Sequence, residues 1–137
     1  MKNRDRELKK MKKWRDKNKE YFINYNIVHS ESKRIHAMNR RAAEINVNEN
    51  YTEEQLQITL KEFGHKCFNC CSTSNITIDH HYPLSKGFPL SLSNAVVLCQ
   101  SCNSSKNNKL PQDFYNEKKL AKLERKLKNI HKNYNKK

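Results

Sequence analysis

The sequence predicts an α+β protein: a small core of two short strands and a helix, stapled by a four-cysteine metal site and flanked by basic helices at both ends. Three observations carry this expectation. Two C-x-x-C pairs, Cys67/Cys70 and Cys99/Cys102, bracket the stretch that holds the strand-like runs. Apolar residues recur at intervals of three and four on either side of it, the spacing of helices with one buried stripe. The charge is strongly basic, with 28 Lys and Arg against 14 Asp and Glu for a net +14, and it is concentrated in the flanks.

A chain of 137 residues holds one modest core plus extensions. With 35% hydrophobic and 31% charged residues, much of it is solvated surface, so something besides packing must help hold the fold. Residues 1–50 carry 14 basic and 7 acidic side chains, residues 51–110 carry 5 and 4, and residues 111–137 carry 9 and 3. We therefore divide the chain into a basic helical arm (1–50), a nearly neutral core (51–110) and a basic C-terminal helix (111–137). Nucleic acid is the expected partner of such flanks, because lysines that neutralise phosphates release condensed counterions. Lys9, Lys12, Arg40 and Arg41 are the expected phosphate contacts of the arm, against the plainer reading of a solvated helix surface. No apolar run approaches the roughly 20 residues of a membrane span, and the start lacks the apolar stretch of a signal peptide. The expected compartment is the reducing cytoplasm, where cysteines favour metal over disulfides.

From Lys2 to about Glu20 charged helix formers surround a thin apolar stripe at Leu8, Met11 and Trp14. The Asn- and aromatic-rich stretch Tyr21 to Ser30 reads as a break. Ile35, Met38, Ala42 and Ile45 then recur at helical spacing. Thr52 followed by Gln55 matches a capping box, and Leu56, Leu60 and Phe63 form a stripe that stops at Gly64, giving a helix over 53–63. Ile76–Ile78 and Ala95–Leu98 read as strands, Pro83–Gly87 as a loop, and about 102–108 as a short helix. After Pro111, Leu120, Leu123, Leu127, Ile130 and Tyr134 mark a final helix, expected to pack on the protein's own N-terminal helices.

The two C-x-x-C knuckles are separated by 28 residues. Four thiolates so arranged can close a tetrahedral shell around zinc, with no open position for a substrate, so that ion is expected to be structural. Its binding would supply much of the folding energy. Cys71 is left over and reads as a spare thiol.

Between and after the knuckles run Asp79-His80-His81-Tyr82-Pro83-Leu84-Ser85-Lys86-Gly87, then Asn94, then Cys102-Asn103-Ser104-Ser105-Lys106. This order and spacing resembles the zinc-containing HNH endonucleases, including small phage-encoded and homing-type members, over about residues 65–110. The resemblance implies a ββα-metal core, with Asp79 and His80 at the end of the first strand, Asn94 leading into the second and Asn103 on the helix. It implies one divalent ion, magnesium or manganese, held by Asp79 and Asn103, with His80 as general base in DNA phosphodiester hydrolysis. Neutral imidazole at cytoplasmic pH can take a proton from the attacking water. Asn94 is grouped with the catalytic residues, its amide expected to bridge backbone groups across the 80–94 loop and keep His80 aimed. Lys86 and Lys106 are expected phosphate contacts, with simple solvent exposure as the competing reading.

Two positions depart from the family pattern. Phe88 stands where a second glycine is common, so the loop is stiffer or lays a ring on the DNA. His81 replaces an aliphatic residue and reads as a packing or zinc-proximal histidine. Strand alternation alone would put Asp79 with His81 and turn His80 away, so a bend at the strand end is required if Asp79 and His80 are to share a metal. Two other functions compete with a nuclease: a catalytically inactive zinc-stabilised module that binds nucleic acid, and a zinc adaptor for another protein.

Overall fold

The computed structural model describes residues 2–135, which fall into two compact units parting between Arg34 and Ile35. The first contains α1 (Lys2–Lys17), α2 (Lys19–Val28) and the start of α3 (Ser30–Glu44). The break expected at Tyr21–Ser30 is instead the helix α2, and the interruptions fall at Asn18 and His29. This stretch has neither Gly nor Pro, so its propensity cost is only tenths of a kcal/mol per residue. Side-chain pairs one turn apart offset it: Tyr21 stacks near Tyr25 with centroids 6.3 Å apart, and Tyr25 meets His29 at 4.3 Å. None of α2 is buried. Trp14 of α1 and Phe22 of α2 meet edge to face at 5.6 Å.

The second unit contains the rest of α3, then α4 (Glu53–Glu62), β1 (Ile76–His80), β2 (Ala95–Cys99), α5 (Gln100–Lys106), α6 (Pro111–Phe114) and α7 (Glu117–Tyr134). Ile35 and Ala42 of α3 are buried here, as is Tyr51, so this part of the basic segment is a structural element of the core. The capping box forms: Thr52 Oγ1 accepts from Gln55 N at 3.2 Å and Gln55 Oε1 accepts from Thr52 N at 3.0 Å. β1 and β2 make one antiparallel ribbon in the register Ile76↔Cys99 to His80↔Ala95. A two-stranded ribbon is not stable alone. Here α5 packs on both strands and α4 packs on β2, leaving β2 buried along its whole length, which is why Ala95–Leu98 is continuously apolar instead of alternating.

α5 starts at Gln100, two residues before the expected position, because the chain enters it directly from the strand with Cys99 as its N-cap. Asn116 caps α7 through a bond from Lys119 N to its side-chain oxygen at 2.9 Å. The α7 stripe, Leu123, Leu127 and Ile130, is sequestered in the same cluster as Ile35, Leu56 and Val96. Tyr134 adds a bond to Glu62 of α4 at 3.1 Å. Lys118, Lys122, Lys128 and Lys132, on the other faces of α7, stay in solvent, as an amphipathic helix requires.

Candidate active site and metal centre

The two knuckles sit at the ends of the elements they staple. Cys67 follows α4, its N–H donating to Ser72 O at 2.8 Å while Cys71 N returns to Cys67 O at 2.9 Å, which folds the first knuckle back on itself. Cys99 ends β2 and Cys102 lies in α5. The four Sγ atoms all lie within 4.8 Å of one another, and Cys70 and Cys99 are 3.6 Å apart. Bonds of about 2.3 Å to a tetrahedral zinc would set sulfurs about 3.8 Å apart, so these thiols are close enough to hold one metal ion. Burial tends to raise the Cys67 thiol, but backbone N–H groups of Cys99, Cys70 and Asn69 outweigh it and bring it down to about 7. Burial and the neighbouring thiols push Cys102 up to about 12. Crowded thiols would shed that mutual conflict by losing their protons to solvent as the thiolates bind a cation. Asn69 Nδ2 donates to Cys102 Sγ at 3.4 Å, and Lys119 Nζ of α7 holds Asn69 through its carbonyl at 2.9 Å. Cys71 is exposed and lies outside the four-thiol cluster.

A cleft of about 280 Å³ lies beside the ribbon, lined by Asp79, His80, Asn103, Met38, Arg41 and Ser85 among others. Three consecutive residues of β1, Ile78, Asp79 and His80, contribute to its lining. Ladder pairing continues through His80, and the bend follows at His81–Tyr82. Asp79 and His80 both line the cleft, and the expected bend at the strand end falls directly after them. His81 goes elsewhere. It is buried at 1% exposure and lines a separate depression with Glu124, Leu127 and His131. Neither of its ring nitrogens has a hydrogen-bond partner, and Glu124 is 3.9 Å away. Burial first, and then the Lys106 charge, hold the His81 imidazole down at about 4.

Asp79 of β1 and Asn103 of α5 both line the cleft. Asn103 Nδ2 donates to Thr77 Oγ1 at 2.9 Å, and Thr77 Oγ1 donates to Leu98 O at 3.0 Å. With its nitrogen so used, Asn103 keeps its oxygen for another partner. Burial raises the Asp79 carboxyl and the ammonium of Lys106 opposes that rise, the net direction being upward. One carboxylate oxygen and one amide oxygen are donors that suit a hard cation completing its shell with water and phosphate oxygens.

The remaining sequence-derived residues are dispersed. Lys106 is not solvated: α5 turns it inward one turn after Asn103, at 0% exposure. Its Nζ lies 2.8 Å from Asp79 Oδ2 and donates to His80 O at 2.7 Å. That commitment leaves it no direct reach to a phosphate outside, which corrects both sequence readings of this lysine. Asn94 is buried outside the cleft lining. Its Oδ1 accepts from Tyr82 N at 2.7 Å, and its Nδ2 donates to Tyr82 O at 3.1 Å and Pro89 O at 3.0 Å, spanning the loop between the strands. Lys86 is exposed at the 3₁₀ turn Leu84–Lys86. Arg41 lines the cleft, whereas exposed Arg40 pairs with Glu44 at 3.8 Å. Lys9 and Lys12 are exposed on α1 of the first unit. The Phe88 ring leans on Tyr82 at 5.2 Å.

Residues 66–119, which contain both knuckles, the ribbon, α5 and α6, match the family model described as HNH endonuclease. This segment, rather than the chain as a whole, is similar to the HNH endonucleases. No curated protein matches the chain. The HNH segment excludes three side chains that its own site touches: Met38 and Arg41 from α3, and Glu49 from the connection to α4. Glu49 has no motif to flag it. Its side chain is fully buried, with Oε2 2.8 Å from His80 Nε2 and accepting from Leu90 N.

Proposed function

We propose that the protein is a metal-dependent DNA endonuclease that hydrolyses phosphodiester bonds. The observation that carries this reading is the convergence of Asp79, His80 and Asn103 on one open cleft of an HNH segment. A module that only bound nucleic acid would have no need of a carboxylate, an imidazole and a carboxamide oxygen together. The four thiols would hold a structural zinc, since a closed sulfur shell offers a substrate no vacancy.

In this reading Asp79 and Asn103 hold a magnesium or manganese ion, which when bound neutralises the scissile phosphate and the departing oxygen. His80 takes a proton from the attacking water. Arg41, on the cleft wall, meets a phosphate oxygen with a planar fork of donors. Lys106 turns Asp79 by its ion pair and fixes the end of β1 through the His80 carbonyl. Asn94 holds the intervening loop so that His80 keeps its orientation. Lys9, Lys12 and Arg40 bind the DNA backbone without reading sequence. Lys86, at the exposed turn near the cleft, does the same.

Supercoiled plasmid incubated with the zinc-loaded protein should be nicked or linearised with magnesium or manganese and left intact with chelator, with 5′-phosphate and 3′-hydroxyl ends. Plasmid binding without cleavage under every metal would instead support the inactive nucleic-acid-binding module.

A further inference from the structure

Glu49 is a buried carboxylate that lies outside the segment matched by the family model. Its side chain is 0% exposed, and its second oxygen, Oε1, is buried with no hydrogen-bond partner. Burying a carboxylate so incompletely satisfied costs stability that an apolar residue would not. The oxygen that is satisfied accepts from Leu90 N, so it acts as an acceptor, and the same atom meets His80 Nε2 at 2.8 Å. An acceptor there requires the proton of a neutral imidazole to sit on Nε2. The lone pair of that ring then lies on Nδ1.

We infer that Glu49 is a positioning residue for the chemistry of this cleft: it fixes His80 as the Nε2–H tautomer, so that Nδ1 is the nitrogen that accepts the proton from water. This rests on the nuclease reading above. Two anchors keep the carboxylate in place, the Leu90 N–H from the loop after the 3₁₀ turn and the short connection from α3 to the buried Tyr51. Glu49 therefore ties the imidazole to a part of the chain that lies before the family segment, and substitution there should change what His80 does without touching the zinc.

The test compares full-length, zinc-loaded wild type with Glu49→Gln and Glu49→Ala. Isotope-edited NMR of the imidazole nitrogens should show His80 protonated on Nε2 in the wild type and in Glu49→Gln, whose amide oxygen can still accept, and a mixture of tautomers in Glu49→Ala. Single-turnover plasmid cleavage at saturating metal should fall on the order of ten- to a hundredfold in Glu49→Ala, with DNA affinity and zinc content within about twofold of wild type. Glu49→Gln should recover part of that rate. A wild-type His80 protonated on Nδ1, or a Glu49→Ala protein cleaving at the wild-type rate, overturns the inference. So does a joint loss of zinc and DNA affinity in both variants, which would make Glu49 merely structural. Wild-type protein that leaves plasmid intact with every metal overturns the nuclease reading, whereas the imidazole spectrum tests the Glu49 contact without turnover, so the two failures are told apart.

Discussion

Two adjacent histidines occupy opposite environments, and the difference is set by where β1 ends. His80 lies at the cleft against Glu49, while His81 is enclosed by Tyr82 and Tyr115, with Glu124 and Lys106 as the charged groups that act on it. Because burial holds His81 at about 4 when folded, against 6.5 in the unfolded chain, the unfolded state binds more protons between these values. Its contribution to stability is complete above 6.5 and is lost as the pH falls toward 4. Replacing it by His81→Phe, which can pack between the two tyrosines, should remove this dependence. Melting temperatures measured across that window should fall less steeply for the variant than for wild type. Equal slopes would show that His81 does not carry acid sensitivity.

At the scale of elements, the knuckles do for this fold what a larger core does for others. They close the exit of α4 onto the end of β2 and the start of α5, and Lys119 adds α7 through Asn69. Cys99→Ser should therefore release the metal and unfold the second unit cooperatively, seen as loss of bound zinc together with loss of the thermal transition. Cys71→Ser should retain one metal per chain, because Cys71 lies outside the four-thiol cluster. Metal analysis that finds Cys71→Ser empty would move the ligand set by one residue. The elements around this centre were legible in the sequence where a local rule decides them. Thr52 and Gln55 cap a helix by their own spacing, and the buried run Ala95–Leu98 has the composition of a strand covered on both faces. α2 was hidden because its Asn and aromatic residues resemble a turn, whereas ring contacts one turn apart favour a helix.

For the whole molecule, charge and chemistry are divided along the chain. The first unit is basic and solvated, and the second holds the cleft and the thiols. Binding to DNA should weaken steeply as salt rises, and Lys9→Ala with Lys12→Ala should lower the slope of log Kd against log salt by about one per lysine that meets a phosphate. A slope unchanged in the double variant would remove α1 from the interface. The candidate site was legible as far as its residues are sequential: Asp79 and His80 are neighbours, and Asn103 is fixed by the second knuckle. Glu49 was not, because 31 positions separate it from His80 and nothing in a lone glutamate distinguishes a buried one. Lys106 was misread for a related reason. A lysine three residues after Asn103 lies on the same face of α5, and that face proves to be the inner one.

The central claim is that the cleft cuts DNA with His80 as its base. Single-turnover cleavage of supercoiled plasmid by wild type, His80→Ala and His81→Ala, at saturating magnesium or manganese and with zinc content and DNA affinity measured alongside, tests it most directly. Loss of the base should cost His80→Ala on the order of a hundred- to ten-thousandfold in rate with zinc and affinity retained, while His81→Ala remains far more active. A His80→Ala protein that cleaves as fast as wild type, or a His81→Ala protein that is folded and inactive beside it, would contradict the account.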